Sequence, residues 1–206
     1  MTGLEPGRAF DVSRETTERL RIYVDLLLKW NARINLIGRS TEEEVWNRHI
    51  ADSLQLMRLA PEGVAVWADL GSGGGLPGLV VAAVLAETAP GATVHLVESD
   101  QRKATFLREA ARQMAVPVVV HAQRIEALQP LAADVLSARA LARLGDLCGF
   151  AKRHLRPGGV ALFPKGASWR QEMADAQRDW TFRATPHSSE TSGDAAIIVL
   201  EEITHV

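Results

Sequence analysis

The residue types best able to do chemistry cluster behind one short apolar run. Val64 to Leu70 is followed by GSGGGLPG (Gly71 to Gly78), five glycines in eight residues. An apolar run that meets such a stretch predicts a buried strand turning sharply into a helix, with Pro77 in the first helical turn, where an N–H has no partner. Glycine takes positive φ and lets the backbone approach a ligand, so this turn can wall a nucleotide-sized site. TVHLVE (Thr93 to Glu98) predicts a second strand whose closing carboxylate lies 20 residues beyond Gly78. That spacing suits an acid that accepts from both hydroxyls of a ribose; the rival role is capping the helix that starts near Gln101. Ile125 could pack on an adenine face with Glu126 at its amino edge, or be a core isoleucine beside a helix cap. Arg139 closes the fourth predicted strand, where its planar fork could hold a carboxylate, a phosphate or a guanine edge, or form a structural salt bridge.

Gly73, Gly75 and Gly78 satisfy the G-x-G-x-x-G spacing of dinucleotide sites, a weak signal alone. Asp69, two residues before Gly71, tilts the reading toward S-adenosylmethionine, because D-x-G-x-G resembles the first motif of Rossmann-like methyltransferases. A carboxylate there can face the cationic amino-acid moiety of that cofactor and would sit poorly beside a pyrophosphate.

The elements that must position these groups follow from periodicity. Apolar residues at Leu20, Tyr23, Val24, Leu27 and Leu28 recur at three and four, predicting a helix from about Val12 to Trp30. The loop Asn31 to Ser40 carries Arg33 and Arg39, candidates for phosphate contact. Thr41 and Glu44 form a T-x-x-E capping box, predicting a second helix that turns Val45, Trp46, Ile50, Leu54 and Met57 inward. These two helices are expected to dock as an arm, residues 1–62, on an α/β domain, residues 63–206. There, strands alternate with helices, which demands a mainly parallel sheet of seven strands covered on both faces. Pro157-Gly158-Gly159 marks a turn before the strand Val160 to Pro164. Trp180 to Thr185 and Ala195 to Ile203 read as a closing antiparallel hairpin. Ligands of such open sheets lie outside the carboxyl ends of the strands, which again singles out the glycine turn, Glu98, Gln123 to Glu126 and Ser137 to Ala140.

Composition narrows the class. A chain of 206 residues, 47% hydrophobic, can bury one good core, and no apolar run reaches the ~18 residues of a membrane span. MTGLEPGRAF has neither the basic nor the apolar segment of a secretory leader, so a cytoplasmic protein is expected. The single cysteine, Cys148, excludes an internal disulfide and multi-cysteine zinc sites; no metal is expected, and Cys148 reads as a core residue. The net charge of −2 does not announce a nucleic-acid binder, but Arg139 through Arg178 holds eight basic residues against three acids. Basic residues on one face would neutralise phosphates; a solvated helix face is the plainer account. Trp30 and Trp46 could stack on a base, although their helical spacing favours core packing.

Several longer stretches together resemble the bacterial guanine-N7 methyltransferases of 16S ribosomal RNA, the RsmG or glucose-inhibited division protein B family. They are LLLKWNARINLIG (Leu26 to Gly38), RHIADS (Arg48 to Ser53), DLGSGGGLPG (Asp69 to Gly78), Glu98 to Glu109, RIE (Arg124 to Glu126), SARA (Ser137 to Ala140) and PKG (Pro164 to Gly166). The resemblance covers nearly the whole chain; Gly74 falls at a loop position that varies in the family. It implies S-adenosylmethionine as cofactor, with Gly71, Leu76, Ile125, Glu126 and Arg139 at positions that contact it, Gly73 in the same turn and Glu98 at the ribose. It places Arg48, His49 and Lys165 near the substrate cleft, for RNA contact or for shaping that cleft, with His49 as readily a buried, hydrogen-bonded histidine. The implied partner is 16S rRNA or the small ribosomal subunit, and a monomer is expected.

What the chain lacks agrees. No Asn/Asp-Pro-Pro-aromatic motif follows the fourth strand, as exocyclic amine methylation would need, and no Pro-Cys nucleophile appears. Guanine N7 already carries a lone pair, so orientation toward the methyl group suffices. Three rivals stay open on the residues alone: a small-molecule methyltransferase, a non-catalytic RNA module that senses the cofactor, and, more distantly, a dinucleotide oxidoreductase.

Overall fold

The computed structural model describes residues 12–206; the leader reading of the first ten residues lies outside them. Seven strands are formed: β1 (Val66–Leu70), β2 (Thr93–Val97), β3 (Val118–His121), β4 (Ala133–Ser137), β5 (Leu155–Lys165), β6 (Trp180–Ser188) and β7 (Ala196–His205). Alternating side chains along a strand divide two apolar layers. Trp67, Val135 and Leu162 belong to one layer, and Ala68, Leu70, Leu136, Ala161 and Phe163 to the other. The sheet order is β3-β2-β1-β4-β5-β7-β6, parallel from β3 to β5, with β7 antiparallel to both β5 and β6. Strand order reverses between β1 and β4, so the crevice for a ligand opens at their carboxyl ends.

Among the described residues five α-helices of eight residues or more flank this sheet: α1 (Arg14–Asn31), α2 (Gly78–Thr88), α3 (Gln101–Met114), α4 (Leu144–His154) and α5 (Trp169–Ala176). The first three pack in one layer, α4 and α5 in the other, as the alternation predicts. Asp100 caps α3, its Oδ1 accepting from the backbone N–H groups of Arg102 and Lys103. Among the described residues no helix is long and apolar enough to cross a membrane.

Two local expectations change. The predicted turn at Pro157-Gly158-Gly159 is a bulge within β5: Leu155 pairs with Ala133 and Val160 with Val135, and Gly158 takes φ 76°. The second arm helix is irregular, a π-helical turn Trp46–Ala51, one α-turn Asp52–Leu54 and a 3-10 turn Gln55–Arg58. Its capping box does not form, because the Thr41 hydroxyl donates to Gly38 O and meets His49 Nε2. Val45, Ile50 and Leu54 still face the core, while Trp46 and Met57 are half-buried against it.

Helix α1 starts at Ser13, whose Oγ accepts from Thr16 N at 3.0 Å. Leu20, Tyr23, Val24 and Leu27 are buried in the same apolar layer as α2 and α3, and Leu28 lies at its edge. Trp30 packs on Phe106 with ring centroids 5.6 Å apart, which is the core role. The polar atom that matters most here is Tyr23 Oη, which donates to Gly74 O at 2.6 Å. Gly74 is therefore not a free loop position: a Cβ there would lie 3.1 Å from Leu36 O. Tyr23→Phe leaves that carbonyl unpaired in a buried place and should lower unfolding free energy by about 1–2 kcal/mol. Urea denaturation measures this, and an unchanged midpoint would show that water replaces the hydroxyl.

Candidate active site

The turn after β1 is shaped by backbone conformations that L side chains rarely adopt. Gly71 and Gly73 take φ 65° and 54°, in the left-handed region where glycine carries no penalty. Gly78 answers to space instead, since a Cβ there would stand 2.4 Å from Leu96 and 2.7 Å from Asp69 Oδ2.

Asp69 holds this turn from beneath. It is 1% exposed, its Oδ1 accepts from Ser137 Oγ at 2.8 Å and its Oδ2 from Gly78 N at 3.2 Å. Ser137 Oγ in turn accepts from Trp67 Nε1. The expectation that Asp69 faces a cationic ligand group is corrected: its carboxylate is enclosed, and both oxygens already serve the protein. Burial pushes its pKa up to about 6, against the opposing pull of the bonds from Ser137, Ser72 and Gly78.

Above the turn lies a cavity of about 500 Å3. The structure brings Gly71, Gly73, Leu76 and Glu98 to its wall, and Ile125, Glu126 and Arg139 to the same wall. Glu98 Oε2 accepts from Gly73 N at 2.9 Å and Oε1 from Asp100 N at 2.8 Å. Because Asp100 caps α3, the capping rival for Glu98 falls away, and its carboxylate bridges the ends of β1 and β2. Ile125 is 8% exposed and Glu126 is exposed in the short 3-10 turn Ile125–Ala127. Leu36 from the arm and Phe150 from α4 also line the cavity; Leu36 fell in the stretch Leu26 to Gly38 but was given no site role, and Phe150 read as an ordinary helix residue. Glycine backbone, a strand-end carboxylate and an apolar plate fit S-adenosylmethionine: close backbone approach, a ribose diol and an adenine face.

A second cavity, about 630 Å3, shares Arg139, Ala140, Leu141 and Ala142 with the first. Arg48 and Lys165 line it. Arg48 is exposed, whereas Lys165 is 10% exposed and donates to Ala142 O at 2.8 Å and to Glu172 Oε2 at 2.6 Å. His49 stands behind Arg139, which donates from Nη1 to His49 Nδ1 at 3.1 Å. A guanidinium only donates, so Nδ1 is the acceptor and Nε2 carries the proton. Nε2 then donates to Thr41 Oγ1 (2.8 Å) and Thr41 to Gly38 O (2.7 Å), a run of bonds with one direction. Burial, helped by Arg139 and Arg48, lowers the His49 pKa to about 4, so the ring is neutral at physiological pH.

The basic stretch Arg139 to Arg178 does not form one surface. Arg153 donates to Leu128 O, Arg156 pairs with Asp134, Lys165 with Glu172 and Arg178 with Asp175. A larger groove of about 1080 Å3 between α4 and α5 is lined by Glu126, Asp146, Asp175 and Asp179, by Glu172, which is paired with Lys165, and by one arginine, Arg143, an acidic excess that disfavours phosphates. Cys148 is buried, which pushes its thiol up to about 12, and no group of three or more metal-ligating side chains stands together among the described residues.

The sheet order and this cavity define a class I methyltransferase fold. An O-methyltransferase of Bacillus cereus solved with SAH superposes with a TM-score of 0.59 at 14% identity, covering 95% of this chain and 94% of that one. A ribosomal protein L11 methylase of Lactobacillus delbrueckii gives 0.58 at 17%, covering 80% of each. At such identities the likeness concerns the fold. The family is given by sequence: the model of GidB, rRNA small subunit methyltransferase G, matches residues 16–197. Ribosomal RNA small subunit methyltransferase G of Cereibacter sphaeroides is 54% identical over 97% of this chain and 96% of its own. The protein of that name in Ruegeria pomeroyi is 52% identical over 97% and 98%. The chain belongs to the rRNA small subunit methyltransferase G family.

Two measurements follow. Glu98→Ala removes the acceptor assigned to the ribose and should weaken S-adenosylmethionine binding roughly tenfold or more, the worth of hydrogen bonds to a charged group; equal affinity by calorimetry would remove Glu98 from the site. Asp69 binds its proton near pH 6 in the folded chain, above the 3.8 of an ordinary aspartate. Between those values the folded state holds more protons, so this residue's contribution to stability rises as pH falls from about 6 to 4 and is least favourable above 6. The stability gap between wild type and Asp69→Asn should therefore shift toward wild type by roughly 1 kcal/mol between about pH 7 and about pH 5; a flat gap in urea denaturation would contradict the buried charge.

Proposed function

We propose that this chain transfers the methyl group of S-adenosylmethionine to N7 of one guanine in the 16S rRNA of the small ribosomal subunit. Family membership supports the enzyme class and the rRNA substrate. The observation that carries N7 is the wall common to the two cavities: Arg139, Ala140, Leu141 and Ala142 include no proton acceptor. Of the acceptors next to Arg139, His49 has both ring nitrogens engaged, and the Asp52 carboxylate, which lines only the second cavity, lies 3.6 Å from Arg139 Nη1 as its ion-pair partner. Such a wall suits a nucleophile that needs no deprotonation.

S-adenosylmethionine, when bound, supplies an electrophilic methyl group on a sulfonium. The glycine turn, Leu76 and Glu98 orient its ribose side, and Ile125 with Glu126 its adenine. Ala140, Leu141 and Ala142 keep water from the line of transfer, and Arg139 orients the base, so that catalysis is by alignment. Arg48, Arg143 at the cavity rim and Arg33 and Arg39 on the loop after α1 are the phosphate contacts, while Lys165, tied to Glu172, shapes the cleft. The guanine is reached in an exposed loop or flipped out of its stack. Residues 1–62 act as an arm docked on a catalytic domain of residues 63–206, the protein works as a monomer, and its place of work is the cytoplasm, where bacterial subunits are made.

The test is transfer of labelled methyl to small subunits from cells lacking the protein, followed by nucleoside analysis. Label in 7-methylguanosine at one site is expected; label in another nucleoside would overturn N7. Arg139→Ala should keep its melting temperature and lose transfer by about 100-fold or more, the cost of misalignment; unchanged turnover would take Arg139 out of the site.

A further inference from the structure

Asp52 lines the second cavity beside Arg139 and takes no part in walling the first. Its side chain is 18% exposed. Oδ1 accepts from Thr191 Oγ1 at 3.0 Å and, at longer range, from Gln55 Nε2 (3.4 Å) and Ser189 Oγ (3.5 Å). These bonds tie the irregular arm helix to the segment between β6 and β7 and hold the carboxylate in one orientation. Oδ2 forms an ion pair with Arg139 at 3.6 Å from Nη1, the salt bridge that was the rival role of Arg139, but at a length beyond hydrogen-bond range, so no hydrogen bond from the described residues occupies it.

A carboxylate mostly removed from water is matched by donors. Among the four RNA bases only guanine offers two adjacent donors on one edge, N1–H and N2–H, followed by the acceptor O6. Around the rim of the purine the order is N2, N1, O6, N7. A carboxylate oxygen beside a guanidinium is the complement of the first three: Asp52 Oδ2 accepts from both N2–H and N1–H with its two lone pairs, and Arg139 donates to O6. The next atom is N7, which falls on the far side of Arg139 from Asp52. Arg139 lines both cavities whereas Asp52 lines only the second, so that side is the cofactor cavity. We propose that Asp52, with Arg139, reads the N1–H/N2–H edge of the acceptor guanine and thereby selects guanine and turns N7 toward the methyl group. This rests on the function proposed above.

The test compares kcat/KM for reconstituted small-subunit particles that carry guanosine or inosine at the acceptor position. Inosine keeps N7, O6 and N1–H and lacks only the 2-amino group. Wild type should prefer guanosine by roughly tenfold or more, the value of one hydrogen bond to a charged acceptor, and Asp52→Asn should lose that preference. Gln55→Ala loosens the same tether without touching the carboxylate and should keep it. Equal wild-type rates on the two particles overturn the proposal, as does a folded Asp52→Asn enzyme with the wild-type preference. If Asp52→Asn transfers to neither particle, Asp52→Glu, which keeps the carboxylate, must transfer with the guanosine preference; failure there assigns Asp52 to tethering and overturns its reading role. A wild-type enzyme that methylates neither particle defeats the methyl-transfer reading itself, and the role of Asp52 with it.

Discussion

The buried carboxylate of Asp69 joins the glycine turn that follows it to a strand end 68 residues away. Through Ser137 it fixes the end of β4, through Gly78 the start of α2, and through its own backbone, which accepts from Ser72 Oγ, the first step of the glycine turn. These are the two strands between which the order of the sheet reverses, so the same side chain sets the width of the crevice and the course of its floor. An uncompensated charge at this depth would be costly, which is why every contact made by Asp69 is a donor. The glycines that follow can adopt their left-handed conformations because the strand ends on either side are already held.

The arm is a second layer on this arrangement rather than an appendage beside it. Tyr23 binds the carbonyl of Gly74 from above the turn that Asp69 holds from below. Asn31, buried at the end of α1, accepts from Leu36 and Ile37 N–H groups and donates to Glu42, moulding the loop that carries Leu36 to the cofactor cavity. Thr41 and His49 extend the contact to Arg139. Both cavities are thus completed by residues of the arm, Leu36 in the first and Arg48 with Asp52 in the second.

Most of the architecture was legible because its causes are local. Short apolar runs and glycine turns marked the strands, and helix α3 begins at Gln101, where the sequence placed its start. Glu98, Ile125 and Arg139 could be placed in advance because strand ends in such sheets converge on one crevice. What the sequence hid were matters of partnership. Asp69 looked like a ligand group because its burial depends on Ser137, 68 residues away. Thr41 looked like a helix cap because nothing local shows that His49 claims its hydroxyl. The basic run left two accounts open, a phosphate-facing surface or a solvated face, because its sequence does not show which side chains Asp134, Glu172 and Asp175 pair with. Asp52 stood inside the stretch RHIADS, but its partners could not be read there, since Thr191 and Ser189 come from the far end of the chain.

Arg139 belongs to both cavities and is held by His49 of the arm, which makes it a point of thermodynamic linkage. A ligand in one cavity that shifts this guanidinium changes the affinity of the other cavity, and reciprocity requires the same factor in the reverse direction. On the function proposed above, cofactor and RNA meet at Arg139 and therefore cannot be bound as independent quantities. An affinity measured for either one belongs to the occupancy of the other at which it was measured.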